Sequence, residues 1–284
     1  MSAYGERRAL MESRLRRALK RGQLEVHYQP EVDLATGELR CLEALVRWNH
    51  PELGSIPPDE FIPIAEETDL ICRVGRMVLT TVAADVEAWR RHGLRTPRVA
   101  INVSTRELDR EGFAASLLET LDRHGIHPGQ FELELTERIL ARQSPRAQRQ
   151  LADFASAGVA LTLDDFGTGY ASLSHLRQAP IGRLKIDRTF VMELSRSASD
   201  AALVRAALAM AAALGIEVVA EGIESAAQWQ LLAEAGCDLG QGFFICAPLP
   251  RGDVTRLLAR STASLLKSTP AAPVLERALP RLRV

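Results

Sequence analysis

Apolar and polar positions along this chain follow one rhythm near its start and another beyond residue 70. Across residues 6–21, arginines alternate with Leu10, Leu15 and Leu19 at helical spacing until Gly22 stops the run. This predicts an entry helix of the kind that continues from an upstream domain. A strand at residues 24–29, a turn at 33–37 and a strand at 39–47 come next, and their short connection predicts an antiparallel pair. Helical patterns then cover residues 73–92, 107–124, 145–157, 200–214 and 226–235. Between them lie apolar runs at Val99, Phe131, Val159, Arg183 and Glu217, with a last one across residues 239–245. Strand and helix in alternation imply parallel strands joined by crossover helices. With the first pair the strands number about eight, enough to close a (β/α)₈ barrel. An open doubly wound sheet would need a G-x-G-x-x-G turn after an early strand, and the sequence has none there. Residues 261–284, rich in Ser, Ala, Pro and Arg, read as a helix followed by a flexible end or linker.

Six of the apolar segments end in or carry near their end a carboxylate, amide or amine: Leu42-Glu43-Ala44-Leu45, Val99-Ala100-Ile101-Asn102, Phe131-Glu132-Leu133-Glu134, Leu161-Thr162-Leu163-Asp164-Asp165, Leu184-Lys185-Ile186-Asp187 and Val218-Val219-Ala220-Glu221. In a parallel barrel the strand ends converge, so these acids crowd into one region whose repulsion a divalent cation would resolve. Glu43, Asn102, Glu134 and Asp164 supply oxygen donors for one hard ion, and Asp165 with Glu221 for a second. Asp164 is the candidate shared ligand that keeps two ions about 3.5–4 Å apart, the spacing used in phosphoryl chemistry. Lys185 reads either as the cation that orients an attacking hydroxide or as a buried salt bridge to one of the acids. Glu134 also fits the polar face of an alternating strand. Arg47 suits a phosphate, whereas Trp48 reads as packing. Asp164-Asp165-Phe166-Gly167-Thr168-Gly169-Tyr170 passes from strand to glycine loop to a helix starting near Tyr170. It reads either as a plain turn or as a metal-coupled hinge that Glu137 anchors.

Composition narrows the chemistry. At 284 residues and 46% hydrophobic content the chain can bury one large core, and its net charge of −1 provides no basic field for long nucleic acid or an anionic membrane. Cys41, Cys72, Cys237 and Cys246 form no C-x-x-C pair and read as reduced, buried thiols. His27, His50, His92, His124, His127 and His175 lack zinc-site spacing, and His124 and His127 are expected at the surface beside a turn. An oxygen-only ligand set favours Mg²⁺ or Mn²⁺. Neither a signal peptide nor a plausible membrane span is evident, which places the chain in the cytoplasm.

In this order the motifs resemble the EAL domain, the family of phosphodiesterases that open bacterial cyclic di-GMP to linear pGpG. The resemblance covers about residues 24–250 and rests on Tyr28-Gln29-Pro30, Glu43-Ala44-Leu45-Val46-Arg47-Trp48, Asn102-Val103-Ser104, Glu134-Leu135-Thr136-Glu137, the 164–170 segment, Lys185-Ile186-Asp187, Glu221-Gly222-Ile223-Glu224 and Gln241-Gly242-Phe243. It implies an α/β fold, a modified (β/α)₈ TIM barrel with an antiparallel first strand. Residues 1–22 would form an entry helix or linker, 23–260 the barrel and 261–284 a tail. It further implies two ions, with Glu43, Asn102, Glu134 and Asp164 around one and Asp164, Asp165 and Glu221 around the other. Lys185 and Gln241 would position water, Glu221 would act as general base, and Gln29, Leu45 and Arg47 would contact the dinucleotide. Glu137 would hold the Asp165 loop, which in the family also takes part in dimerisation, and Glu224 would be structural. A homodimer and an upstream sensory or GGDEF-type domain are the expected partners. Asp69 stands where the family usually has glycine, and Cys246-Ala247 replaces a more polar pair; neither removes a proposed ligand. Two competing classes are a cyclic di-GMP receptor without catalysis and a metal-dependent barrel enzyme acting on a small carboxylate.

Overall fold

The computed structural model describes residues 3–141, 143–167, 169 and 179–266. His175, the helix expected near Tyr170 and the tail beyond residue 266 lie outside the described residues. Strands β1 (Leu24–Asp33) and β2 (Leu39–His50) are joined by five residues. Asp33 fixes this turn by accepting from the backbone N–H of Ala35 and Thr36 at 3.1 and 2.8 Å. Five residues cannot return a chain for parallel pairing, so β1 and β2 run antiparallel, with Gln29 opposite Glu43 and Glu31 opposite Cys41.

After a short β3 (Gly54–Ile56), the parallel strands are β4 (Arg98–Asn102), β5 (Phe131–Thr136), β6 (Ala160–Phe166), β7 (Arg183–Ile186), β8 (Glu217–Ala220) and β9 (Leu239–Gly240). Each pairs in parallel with the next, β2 pairs with β4, and β9 returns to β1 antiparallel, so among the described residues eight strands close the barrel. The sequence reading of an antiparallel first strand in a modified (β/α)₈ barrel holds. A final β10 (Leu249–Pro250) adds an outer edge to β1.

Period-two alternation places the apolar residues of β5 (Phe131, Leu133 and Leu135) under the helices and turns Glu132 and Glu134 inward. The main core therefore lies between strands and helices, while the barrel interior is charged where barrels usually stack Val, Ile and Leu. Met11, Leu15 and Ala18 of the first helix, Ala3–Arg21, are buried in the same core. The last described helix, Arg251–Leu266, starts directly after β10.

The segment expected as one helix across 107–124 is broken. Thr105–Leu108 and Phe113–Arg123 are separate helices, because Gly112 adopts φ 73° between them. Pro58–Glu66 is helical although it contains Pro63, with Pro58 at its first position where a missing N–H is tolerated. Trp48 packs edge-on to Phe61 at 5.3 Å. Two surface and core expectations shift. His124 is partly covered, with Nδ1 2.6 Å from Glu87, while His127 is exposed. Cys72 is only partly buried, unlike the other three free thiols. Among the described residues no helix is long and apolar enough to cross a membrane.

Candidate active site

Lys185 stands at the centre of the upper barrel interior with no solvent exposure. Its Nζ lies 3.1 Å from Glu43 Oε2, 3.0 Å from Glu134 Oε1 and 2.7 Å from Glu221 Oε1. These groups meet because β7 points Lys185 inward, β5 does the same with Glu134, β2 brings Glu43, and Glu221 immediately follows β8. Of the two readings of Lys185, the salt bridge is present, but to three acids and not one. Glu134 does lie on the polar face of an alternating strand, but that face is the barrel interior.

Two amides complete the cluster. Asn102 Nδ2 donates to Glu43 Oε1 at 2.9 Å, and Gln241 Nε2 donates to Glu43 Oε2 at 2.6 Å. Gln241 also reaches Gln29 Oε1 at 3.3 Å, and Gln29 Nε2 donates to the Cys246 carbonyl at 3.1 Å. Asp164, at the exit of β6, is buried and accepts from the Asp165 backbone N–H at 2.9 Å. Asp165 holds φ 57°, a left-handed conformation uncommon for a residue with a Cβ. Beyond it, Glu137 accepts from the N–H of Gly167 at 2.9 Å and of Gly169 at 3.0 Å.

One ammonium cannot neutralise this many acids, and their titration divides accordingly. Burial pushes Glu43 up, but Lys185 and the donors Gln241 and Asn102 hold it below the usual carboxylate range. Burial and the Glu43 charge drive Glu134 well upward. Burial raises Asp164 against the pull of Lys185, and it raises Glu221 to about 8 despite that same ammonium. Asp165 is pushed up to about 6 by burial and by Asp164 beside it. Glu134, Glu221, Glu43 and Asp164 in turn hold Lys185 well above its ordinary value in spite of burial.

Among the described residues no three His, Cys, Asp or Glu side chains stand at metal-binding spacing. The donor set nonetheless fits a hard divalent cation. Carboxylates outnumber the ammonium, and buried Glu134 Oε2 has no hydrogen-bond partner among the described residues.

A cavity of about 370 Å³ opens beside the cluster, lined among others by Leu45, Arg47, Asn102, Asp164 and Asp165. Arg47 is half-buried, its guanidinium lowered by that burial and its Nη1 bonded to the Val46 carbonyl at 2.9 Å. Gln29 and Gln241 do not line this cavity but bound the cluster on its β1 and β9 side.

Sequence reasoning missed a second charged layer directly below. Arg183, two residues before Lys185, reaches Glu31 at 3.1 Å, Glu132 at 2.9 Å and Glu217 at 2.6 Å. The period of two that turns Glu134 and Lys185 inward was the available signal. It also missed Glu107, whose carboxylate bonds Ser104 through the S-x-x-E capping signature of Ser104-Thr105-Arg106-Glu107.

With fold and site in place, the chain matches the family model of the EAL domain over residues 12–248. It belongs to the EAL domain family. Among curated relatives, it is 38% identical over 250 residues to the bifunctional diguanylate cyclase/cyclic di-GMP phosphodiesterase MucR of Pseudomonas aeruginosa, covering 88% of this chain and 36% of MucR. It is 41% identical over 240 residues to the cyclic di-GMP phosphodiesterase PdeR of Escherichia coli, covering 84% and 36% respectively. The chain thus spans about a third of the length of these relatives. A solved structure of the PaMucR phosphodiesterase in complex with c-di-GMP superposes with a TM-score of 0.82 at 38% identity, covering 86% of this chain and 99% of that one.

Proposed function

We propose that this chain is a metal-dependent phosphodiesterase that hydrolyses cyclic di-GMP to linear pGpG. The observation that carries the reading is the Lys185 cluster of Glu43, Glu134 and Glu221, bordered by Asn102 and Asp164, at the mouth of the barrel beside the Arg47 cavity. PdeR and MucR, whose names carry this activity, support it.

Glu43, Asn102, Glu134 and Asp164 would hold one Mg²⁺ or Mn²⁺, and Asp164, Asp165 and Glu221 a second. When bound, the ions would supply Lewis-acid activation of water and neutralise charge on the phosphate oxygens. The remaining roles belong to the chain. Arg47 offers its planar donors to a phosphate, with Leu45 and Gln29 against the rest of the dinucleotide. Lys185 and Gln241 orient the attacking water, and Glu221, whose Oε1 Lys185 fixes at 2.7 Å, accepts its proton in its ionised form, which the chain by itself reaches above about pH 8. Attack at phosphorus breaks one P–O bond to a ribose 3′ oxygen and leaves a 5′-phosphate on the linear product. Glu137 holds the loop that carries Asp165.

We further assign this domain, with its boundaries near residues 23 and 260, to a homodimer and to a longer protein with a sensory or GGDEF-type domain upstream. The bifunctional name of MucR supports the second assignment. The proposed compartment is the cytoplasm, consistent with four free cysteines.

The deciding experiment incubates the protein with cyclic di-GMP and Mg²⁺ or Mn²⁺, separates products by chromatography, and repeats this with Glu43→Ala. Release of pGpG by the wild type, lost in Glu43→Ala, is the expected result. Binding without turnover would make the chain a receptor, and no binding would reject both readings.

A further inference from the structure

We propose that Glu107 is a positioning residue for Asn102, seated in a notch that Gly75 cuts into the neighbouring helix. The inference rests on the phosphodiesterase reading only through the ligand role given to Asn102.

Asn102 is the last residue of β4, and the wall that carries it is thin. Gly75, Asn102, Val103 and Glu107 line both the mouth cavity and a second cavity of about 150 Å³. With a cavity on each side, the Asn102 side chain has its bond to Glu43 and little packing, so the hydrogen bonds that hold its backbone carry more of its orientation. Two such attachments follow it directly. The Val103 N–H donates to the Glu134 carbonyl at 3.0 Å, tying the exit of β4 to β5. Glu107 Oε2 then accepts from the Ser104 backbone N–H at 3.0 Å and from Ser104 Oγ at 2.6 Å. Ser104 Oγ in return accepts from the Glu107 N–H at 3.3 Å, which closes a capping box.

The carboxylate can take this position only because of Gly75. Glycine is a poor choice inside the 22-residue helix Leu70–Arg91, and a packing reason is expected for it. Here the reason is steric, because a Cβ at position 75 would overlap Glu107 Oε1. Glu107 is 5% exposed, and burial raises its carboxyl against the pull of the Ser104 donors. A buried acid at a four-residue helix, lodged against a helix glycine, is a demanding arrangement for a turn that water could have capped. Its location one turn beyond a proposed metal ligand gives it a use. Outer partners of this kind orient the groups that ligate.

The test uses the whole chain and the variants Gly75→Ala, Glu107→Ala, Glu107→Gln and Gly75→Ala/Glu107→Ala. Mn²⁺ binding without substrate is measured by calorimetry, alongside the metal concentration giving half-maximal hydrolysis and the melting temperature. Gly75→Ala and Glu107→Ala are each expected to weaken Mn²⁺ binding about tenfold or more. The double variant should be no weaker than Glu107→Ala alone, since the added methyl then has nothing to displace. Glu107→Gln, which keeps an oxygen acceptor for Ser104, should recover most of the affinity. Unchanged Mn²⁺ binding in Gly75→Ala and Glu107→Ala, whatever happens to melting, overturns the inference; so does an additive double variant or a wild type without Mn²⁺ affinity. If Gly75→Ala does not fold, the Glu107→Gln and Glu107→Ala pair decides. A wild type that binds Mn²⁺ but leaves cyclic di-GMP intact would defeat the phosphodiesterase reading, while the Mn²⁺ data still judge this one.

Discussion

Removing the Lys185 ammonium exposes how the barrel interior tolerates its own charge. Lys185→Met keeps the length and apolar stem of the side chain but leaves Glu43, Glu134 and Glu221 facing each other where the cation stood. The lost contact to Glu43 at 3.1 Å, the one acid of the three held below its ordinary range, corresponds to about 5 kcal/mol at an effective dielectric constant near 20, before desolvation is counted. The net loss is smaller, because a carboxylate with no counterion takes up a proton. Starting from an ordinary value of 4.5, protonation at pH 7 costs about 1.36 kcal/mol per pH unit over about 2.5 units, or about 3.4 kcal/mol. At pH 5 the same step costs about 0.7 kcal/mol. A deficit of about 3–4 kcal/mol matches the loss usual when one partner of a buried pair is removed. In a domain of this size it lowers the melting temperature by about 10 °C. The direction with pH follows from Glu43, which Lys185 holds below its ordinary value in the wild type and which burial raises once the ammonium is gone. A folded-state value above the unfolded one gives stability that is complete below about 4.5 and is lost as pH rises through the folded value. Melting of wild type and Lys185→Met in EDTA at pH 5, 7 and 8 is the assay. The gap should be small at pH 5, large at pH 7, and reduced when Mn²⁺ is added at pH 7. A gap that does not change with pH would mean that packing, not charge, is what Lys185 contributes.

Two further outcomes follow from the same interior. Glu137→Ala removes both acceptors of the Gly167 and Gly169 amides, bonds to a charged group that contribute about 1.5–3 kcal/mol each. Amide exchange at these glycines should accelerate and hydrolysis fall at least about tenfold, and unchanged exchange would show that the loop is held by other contacts. Glu31 is fully buried and pushed up to about 7, chiefly by burial, against the pull of Lys185 and Arg183. Its stability contribution is therefore complete below about 4.5 and lost as pH rises through about 7. Glu31→Gln should gain stability relative to wild type across that window in urea unfolding at pH 4.5, 6 and 8, and a pH-independent difference would contradict the assignment.

Much of this architecture is legible in the sequence. The hairpin could be read because Asp33 and Gly37 bracket too few residues for a crossover, and the parallel strands because each short apolar run sits between helical stretches. The site residues could be read as strand-end polar groups. Several features were not legible for definite reasons. The 107–124 helix looked continuous because periodicity carries through Gly112, whose left-handed φ of 73° no local pattern announces. Pro58–Glu66 was hidden by Pro63, since a proline argues against helix unless tertiary contacts bury the face around Phe61 and Ala65.

The sequence alone determined the order and type of the main strands and helices, the antiparallel start, and the chemical kinds of the groups at the strand ends. These depend on period, turn length and residue type, which are local properties. Tertiary structure decided what those groups face. That Lys185 meets three acids and not one, that Glu132 and Arg183 make a second charged layer, and that Gly75 gives Glu107 its seat all depend on strands and helices far apart in the chain meeting at one height in the barrel. Closure of the barrel sets that height. It follows from the pairing of β9 with β1, more than 200 residues apart, and no local pattern encodes it.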